Sequence, residues 1–93
     1  MTKKKKLDFN EAYEFGYKKG EDIKEHSDFP SLCEAAIREG VDSAYSIVED
    51  RVNANLGYSS QEKLLTKETK PVFWQGVYEG FRALLIYTGC PVV

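Results

Sequence analysis

The chain has 93 residues, a mass of 10.6 kDa, 30% charged and 13% aromatic residues, and a net charge of −2. That length makes one domain; surface scaling leaves about 5,500 Å² exposed when folded against about 15,000 Å² unfolded, enough for one modest core. No apolar run reaches the ~18 residues needed to span a bilayer, which excludes a membrane-spanning segment.

The start, MTKKKKLDFNEAYE, is basic but has no apolar leader segment. Cys33 and Cys90 are the only cysteines, too few for a disulfide scaffold, and with no export signal they read as reduced thiols. The expected location is cytoplasmic. Lys3 to Lys6 supply four of the thirteen basic residues, and the remaining nine face all fifteen acids, so residues 7–93 carry a net −6. An acidic body does not suit direct nucleic-acid binding, which needs a basic face. Residues 1–6 read as a solvated, disordered basic tail, and 7–93 as a single helical domain.

The first helix is expected over 8–25. Asp8 with Glu11 makes a capping box, and Leu7 with Ala12 a hydrophobic staple. Phe9, Ala12, Tyr13, Gly16, Tyr17, Gly20 and Ile23 share one face, opposite Asn10, Glu11, Glu14, Lys18, Glu21 and Asp22. Residues His26 to Pro30 should form a turn.

A second helix is expected over 31–55, opened by Ser31 with Glu34 and stopped by Gly57. Its inward face reads Cys33, Ala36, Ile37, Gly40, Ala44, Ile47 and Val48, with Arg51 one turn beyond. Arg51 either snorkels from the end of the bundle or is held by an acid or an anionic ligand. The connector 58–68 has room for a short helical turn near 60–66, with Leu64 and Leu65 plugging the bundle.

The third helix, 70–88, should be central. Thr69 and Pro71 mark its start, Gly89 and Pro91 its end. Gln75, Glu79 and Arg82 form one narrow polar stripe, and nearly all the remaining circumference is apolar. Phe73, Trp74, Val77, Tyr78, Phe81, Leu84 and Leu85 make a bulky side; Gly76, Gly80 and Ala83, flanked by Val72 and Tyr87, make a flat one.

Small residues four apart recur in all three helices: Gly16/Gly20, Ala36/Gly40/Ala44 and Gly76/Gly80. Such ridges let helix axes approach closely. They either receive side chains inside the monomer core or form an interface between copies. The apolar excess of the last helix favours a homodimer or higher oligomer through Val72, Gly76, Gly80, Ala83 and Tyr87.

Catalytic chemistry finds little material. His26 is the only histidine, which removes most metal sites and triads. Asp22/His26 is a two-ligand metal signal at most, Cys33 lies on an apolar face, and the paired glycines lack a phosphate loop's strand-turn context. No metal, cofactor or enzymatic activity is expected. In general character, a short chain with an acidic body, no catalytic set and an apolar surplus resembles small accessory proteins of phages and mobile elements. Many of those bind and block a host protein; the resemblance implies that kind of function without residue roles.

The expected architecture is thus an all-α, three-helix domain that binds another protein, as an inhibitor or regulator. Glu11, Glu14, Asp22 and Trp74 are the expected partner contacts. The alternative is an oligomer that sequesters a small anionic ligand, such as a nucleotide, using Tyr13, Tyr17, Arg51 and Arg82.

Overall fold

Two parallel helices, joined backbone to backbone, form the spine of the molecule. The computed structural model describes residues 6–25, 29–56 and 64–90; these form four helices, α1 (Phe9–Glu21), α2 (Phe29–Glu39), α3 (Val41–Leu56) and α4 (Lys70–Tyr87). A 3-10 turn over Asp22–Glu25 extends α1. The described residues contain no strand, so the fold is all-α as expected, with one more helix.

The start of α1 follows from its capping box. The Glu11 N–H donates to Asp8 Oδ1 at 2.8 Å, and the Asp8 N–H donates to Glu11 Oε1 at 3.0 Å. Leu7 packs against the core and its N–H donates to the Leu64 carbonyl at 2.9 Å, tying the entry of α1 to the connector before α4. Both helices therefore set out from the same end.

They stay in register along their length. Gly16 meets Phe73 and Val77, Gly20 meets Val77 and Phe81, Gly76 meets Tyr13 and Tyr17, and Gly80 meets Tyr17. Residue numbers climb together on both sides, so α1 and α4 run parallel. A Cβ on Gly16 would overlap the Phe73 carbonyl, and one on Gly20 would stand 2.8 Å from the Phe81 nitrogen. On Gly76 it would be 3.0 Å from the Tyr17 nitrogen. Gly76 and Gly80, expected at an interface between copies, are instead covered by α1 of their own chain. Backbone contact along about two turns of each helix compensates the roughly 1 kcal/mol that each mid-helix glycine costs relative to Ala.

The expected helix over 31–55 is two helices. Gly40 has φ +102° and ends α2, its N–H donating to the Ala36 carbonyl at 3.0 Å. Its own carbonyl then accepts from Ala44 at 3.3 Å, starting α3. The periodicity concealed this break because Ala36 and Ala44 are buried on both sides of it. Gly40 itself touches nothing that a Cβ would meet, so it is a hinge and not part of a packing ridge. Ile37 and Ile47, expected inward, are 49% and 41% exposed. α2 begins at Phe29, which puts Ser31 inside its first turn. The turn at His26, the stop at Gly57 and the turn near Ser59 and Glu62 lie outside the described residues, as does the tail before Lys6.

α3 runs antiparallel to α4: Tyr45 donates to the Trp74 carbonyl at 3.1 Å, and Tyr78 to Asp42 Oδ1 at 3.0 Å. The Tyr45 and Tyr78 rings meet edge to face at 5.0 Å. Beneath them Val48, Val52, Phe73, Val77, Phe81 and Leu85 are fully buried. The bulky side of α4 is thus covered by α1 and α3. At its start, Thr69 is buried and pairs reciprocally with Thr66, whose N–H donates to Thr69 Oγ1 at 2.7 Å; its side chain caps no N–H of α4 itself.

The last turn of α4 closes in a Schellman motif. Gly89, at φ +83°, donates to the Ile86 carbonyl at 3.1 Å, and Cys90 donates to the Leu85 carbonyl at 2.8 Å. This turn brings Cys90 to Cys33 of α2, with Cα atoms 6.1 Å apart, in a disulfide. The two cysteines are therefore not the reduced thiols expected. A bridge across 57 residues stabilises by about 4 kcal/mol on the chain-entropy account.

The glycine contact makes a sharp prediction. Gly80→Ala should gain about 1 kcal/mol of helix propensity yet lose about 2–3 kcal/mol to overpacking against the Tyr17 backbone. Thermal melts should show a fall of several degrees; a rise would mean that the helices separate without penalty.

Candidate functional site

A parallel helix pair has two flanking grooves. In this molecule one is filled by α3 and the aromatic cluster of Phe15, Phe73 and Trp74, whose rings meet at 5.1 and 5.0 Å. The other is open. Tyr17 and Ala83 lie at its centre and line two adjoining hollows, one with Gln75, Tyr78, Glu79, Arg82 and Ile86, the other with Lys18, Glu21, Asp22, Lys24, Glu25 and Tyr87.

The floor of this groove is polar and internally bonded. Tyr13 donates to Glu79 Oε1 at 2.6 Å, and Gln75 donates to Glu79 Oε2 at 3.0 Å. These two hydrogen bonds hold the Glu79 carboxyl below the usual carboxylate range. The same bond to Glu79 pushes the Tyr13 phenol up to about 12. Tyr78 is raised by burial and then by its bond to Asp42; Tyr45 is pushed up to about 12 by burial and then by Glu49. Arg82 lies 5.9 Å from the centre of the Tyr78 ring.

At the upper end of the groove two large apolar side chains stand beside the charged Lys18, Glu21, Asp22, Lys24 and Glu25. Ile86 is 67% and Tyr87 88% exposed, beside partly buried Ala83. These follow from the α4 sequence: Ile86 continues the Gln75–Glu79–Arg82 stripe, a face that none of the described helices fully covers. The periodicity that revealed the stripe could have flagged Ile86 as its apolar member.

Several expected site residues are brought together and others are not. Tyr13, Tyr17 and Arg82 share the open groove, but Arg51 does not join them. Asp42 sits level with Tyr78; along antiparallel helices Arg51 then lies about 13 Å one way and Arg82 about 6 Å the other. Some 20 Å along the bundle axis separates the two cations, and Glu79 occupies the place an anion would need. Glu11 is committed to the cap of α1. Glu14 and Asp22 are exposed on α1 and its extension. Trp74 is partly buried against the core, its ring edge to face with Phe73, and it lines neither hollow of the open groove. Among the described residues no three His, Cys, Asp or Glu side chains are grouped to hold a metal ion. No helix among them is long and apolar enough to cross a membrane.

Compared with known proteins, the chain matches no family model, no curated protein and no solved structure.

The tyrosine shifts carry a pH dependence with a definite sign. Glu79 has a lowered folded pKa, so its contribution to stability is present above about pH 4.3 and fades as pH falls through the folded value. Tyr13 has a raised one, so its contribution is complete below about pH 10 and fades as pH climbs towards 12. Denaturant titrations at about pH 8 and about pH 11 should show wild-type stability falling, and Tyr13→Phe losing less over the same interval. Equal losses would show that the Tyr13–Glu79 bond does not survive in solution.

Proposed function

We propose that the protein is a small, non-enzymatic binding module that docks another protein along the open α1/α4 groove and thereby inhibits or regulates it. The observation that supports this reading is the pair of exposed apolar side chains, Ile86 and Tyr87, beside a groove edged by Glu21, Asp22 and Glu25. Large apolar side chains next to charged neighbours are the usual composition of a docking patch and its rim. The general resemblance to accessory proteins of phages and mobile elements supports a host protein as target.

The anionic-ligand reading is weaker. Arg51 and Arg82 do not converge, and a buried anion needs charged donors directed at one point. The excess of six acids in residues 7–93 also repels such a ligand. Self-association belongs to the same proposal, with Tyr87 and Ala83 as the copy-to-copy contact; Val72, near the other end of α4 and about 22 Å away, falls outside it. Light scattering at micromolar concentration would remove it by returning a strict monomer mass. The Cys33–Cys90 disulfide gives no support to a cytoplasmic location, where thiols are kept reduced.

Immobilised wild-type protein should retain one partner from a lysate of the source cells, and Ile86→Ser with Tyr87→Ser should lose it while keeping the wild-type melt. Glu14→Lys with Asp22→Lys should slow association about ten-fold at low salt and far less at high salt, because surface charge acts on encounter. The proposal fails if the purified protein instead releases a small anion on denaturation and Arg82→Ala abolishes that release.

A further inference from the structure

The disulfide joins elements that have little else in common. Cys33 lies in α2, and Cys90 is fixed by the Schellman turn that ends α4. α2 is short, fully buries only Leu32 and Ala36, and packs against α3 and the 3-10 turn. Its one firm tie to α4 is the covalent bond. At its other end stands Gly40, in a left-handed conformation with open space around it. α2 is thus bounded by the bridge near its start and by the left-handed Gly40 at its end, and its remaining packing is on α3 and the 3-10 turn. The spine, by contrast, contains no cysteine and is held by glycine contacts that reduction leaves untouched.

We propose that the Cys33–Cys90 disulfide is a redox latch: exchange with a cellular dithiol frees α2 to swing on Gly40 while the α1/α4 pair stays intact. Cys33 is partly exposed and Cys90 8% exposed, so the attacking thiolate reaches Cys33 Sγ. The S–S bond breaks, Cys90 leaves as a thiolate and takes up a proton, and a mixed disulfide remains on Cys33. The second thiol of the reductant then attacks its own sulfur in that mixed disulfide and releases Cys33, which is protonated in turn. Two electrons pass to the protein, the reductant's two thiol protons end on Cys33 and Cys90, and the reductant departs as its own disulfide.

Ile23 in the 3-10 turn, only 1% exposed in the closed form, shares its core cluster with Leu32 and Ala36 of α2, and withdrawal of α2 from the turn would uncover apolar surface there. The open form therefore presents an apolar surface, distinct from the α1/α4 groove, that the closed form hides. In a reducing compartment the latch stands open, and in an oxidising one it stands closed. This inference does not depend on a partner occupying the groove.

Amide hydrogen exchange on the whole protein, purified without reductant and then treated with dithiothreitol, tests it. Reduction should cost residues 29–39 at least ten-fold in protection while 9–21 and 70–87 keep theirs. The double variant Cys33→Ser with Cys90→Ser should show the open pattern from the outset and ignore dithiothreitol. Three results would overturn the latch: alkylation of both thiols before any reduction, unchanged protection of α2 on reduction, or loss of protection by all four helices together. Failure of the double variant to fold counts with the third, since the bridge would then staple the whole domain.

Discussion

Everything in this molecule depends on two backbones touching. Gly16 and Gly20 of α1 meet Phe73 to Phe81 of α4, while Gly76 and Gly80 receive the Tyr13 and Tyr17 backbone. Helices carrying ordinary side chains pack with their axes 8–10 Å apart; removing four Cβ atoms lets this pair come closer. Dispersion then acts between the two backbones where the glycines meet them. The same small-residue device is familiar from helices packed in membranes, where it substitutes for hydrophobic drive. In this chain it operates beside a conventional apolar core.

The parallel arrangement has consequences for what else the chain must do. Parallel neighbours need a long connection, and within it α3 runs back antiparallel to α4 along one flank. That excursion fills one groove with Phe15, Phe73, Trp74, Val48 and Val52 and leaves the opposite one open. Tyr13, Tyr17, Gln75 and Glu79 line the open side because their positions lie just past the glycine contact on each helix. The surface available for binding is thus a by-product of how the spine is connected. The disulfide adds a second layer, since the capping turn that ends α4 also delivers Cys90 to α2.

Much of this was legible in the residues. The capping box at Asp8, the start of α4 near Pro71, the left-handed Gly89 and the central burial of α4 are local or periodic signals, and each is in place. The small-residue spacing announced a close helix contact but not its owner. Gly76 and Gly80 carry the same pattern whether the facing backbone belongs to another copy or to α1. The break at Gly40 was hidden because the spacing of Ala36 and Ala44 continues in phase across it, and glycine is tolerated both within a helix and at its end.

What the sequence by itself determined is the helical character, the caps and which face of each helix is apolar, because these are set within a few residues by hydrogen bonding and periodicity. Tertiary structure alone decided that α1 and α4 run parallel and that Arg51 and Arg82 stand apart. It also decided that Cys33 and Cys90 meet across 57 residues. Each of these depends on the path of the chain between distant segments, and that path follows from which apolar faces cover one another. No local pattern encodes such a choice, since the same faces would be equally apolar in any other pairing.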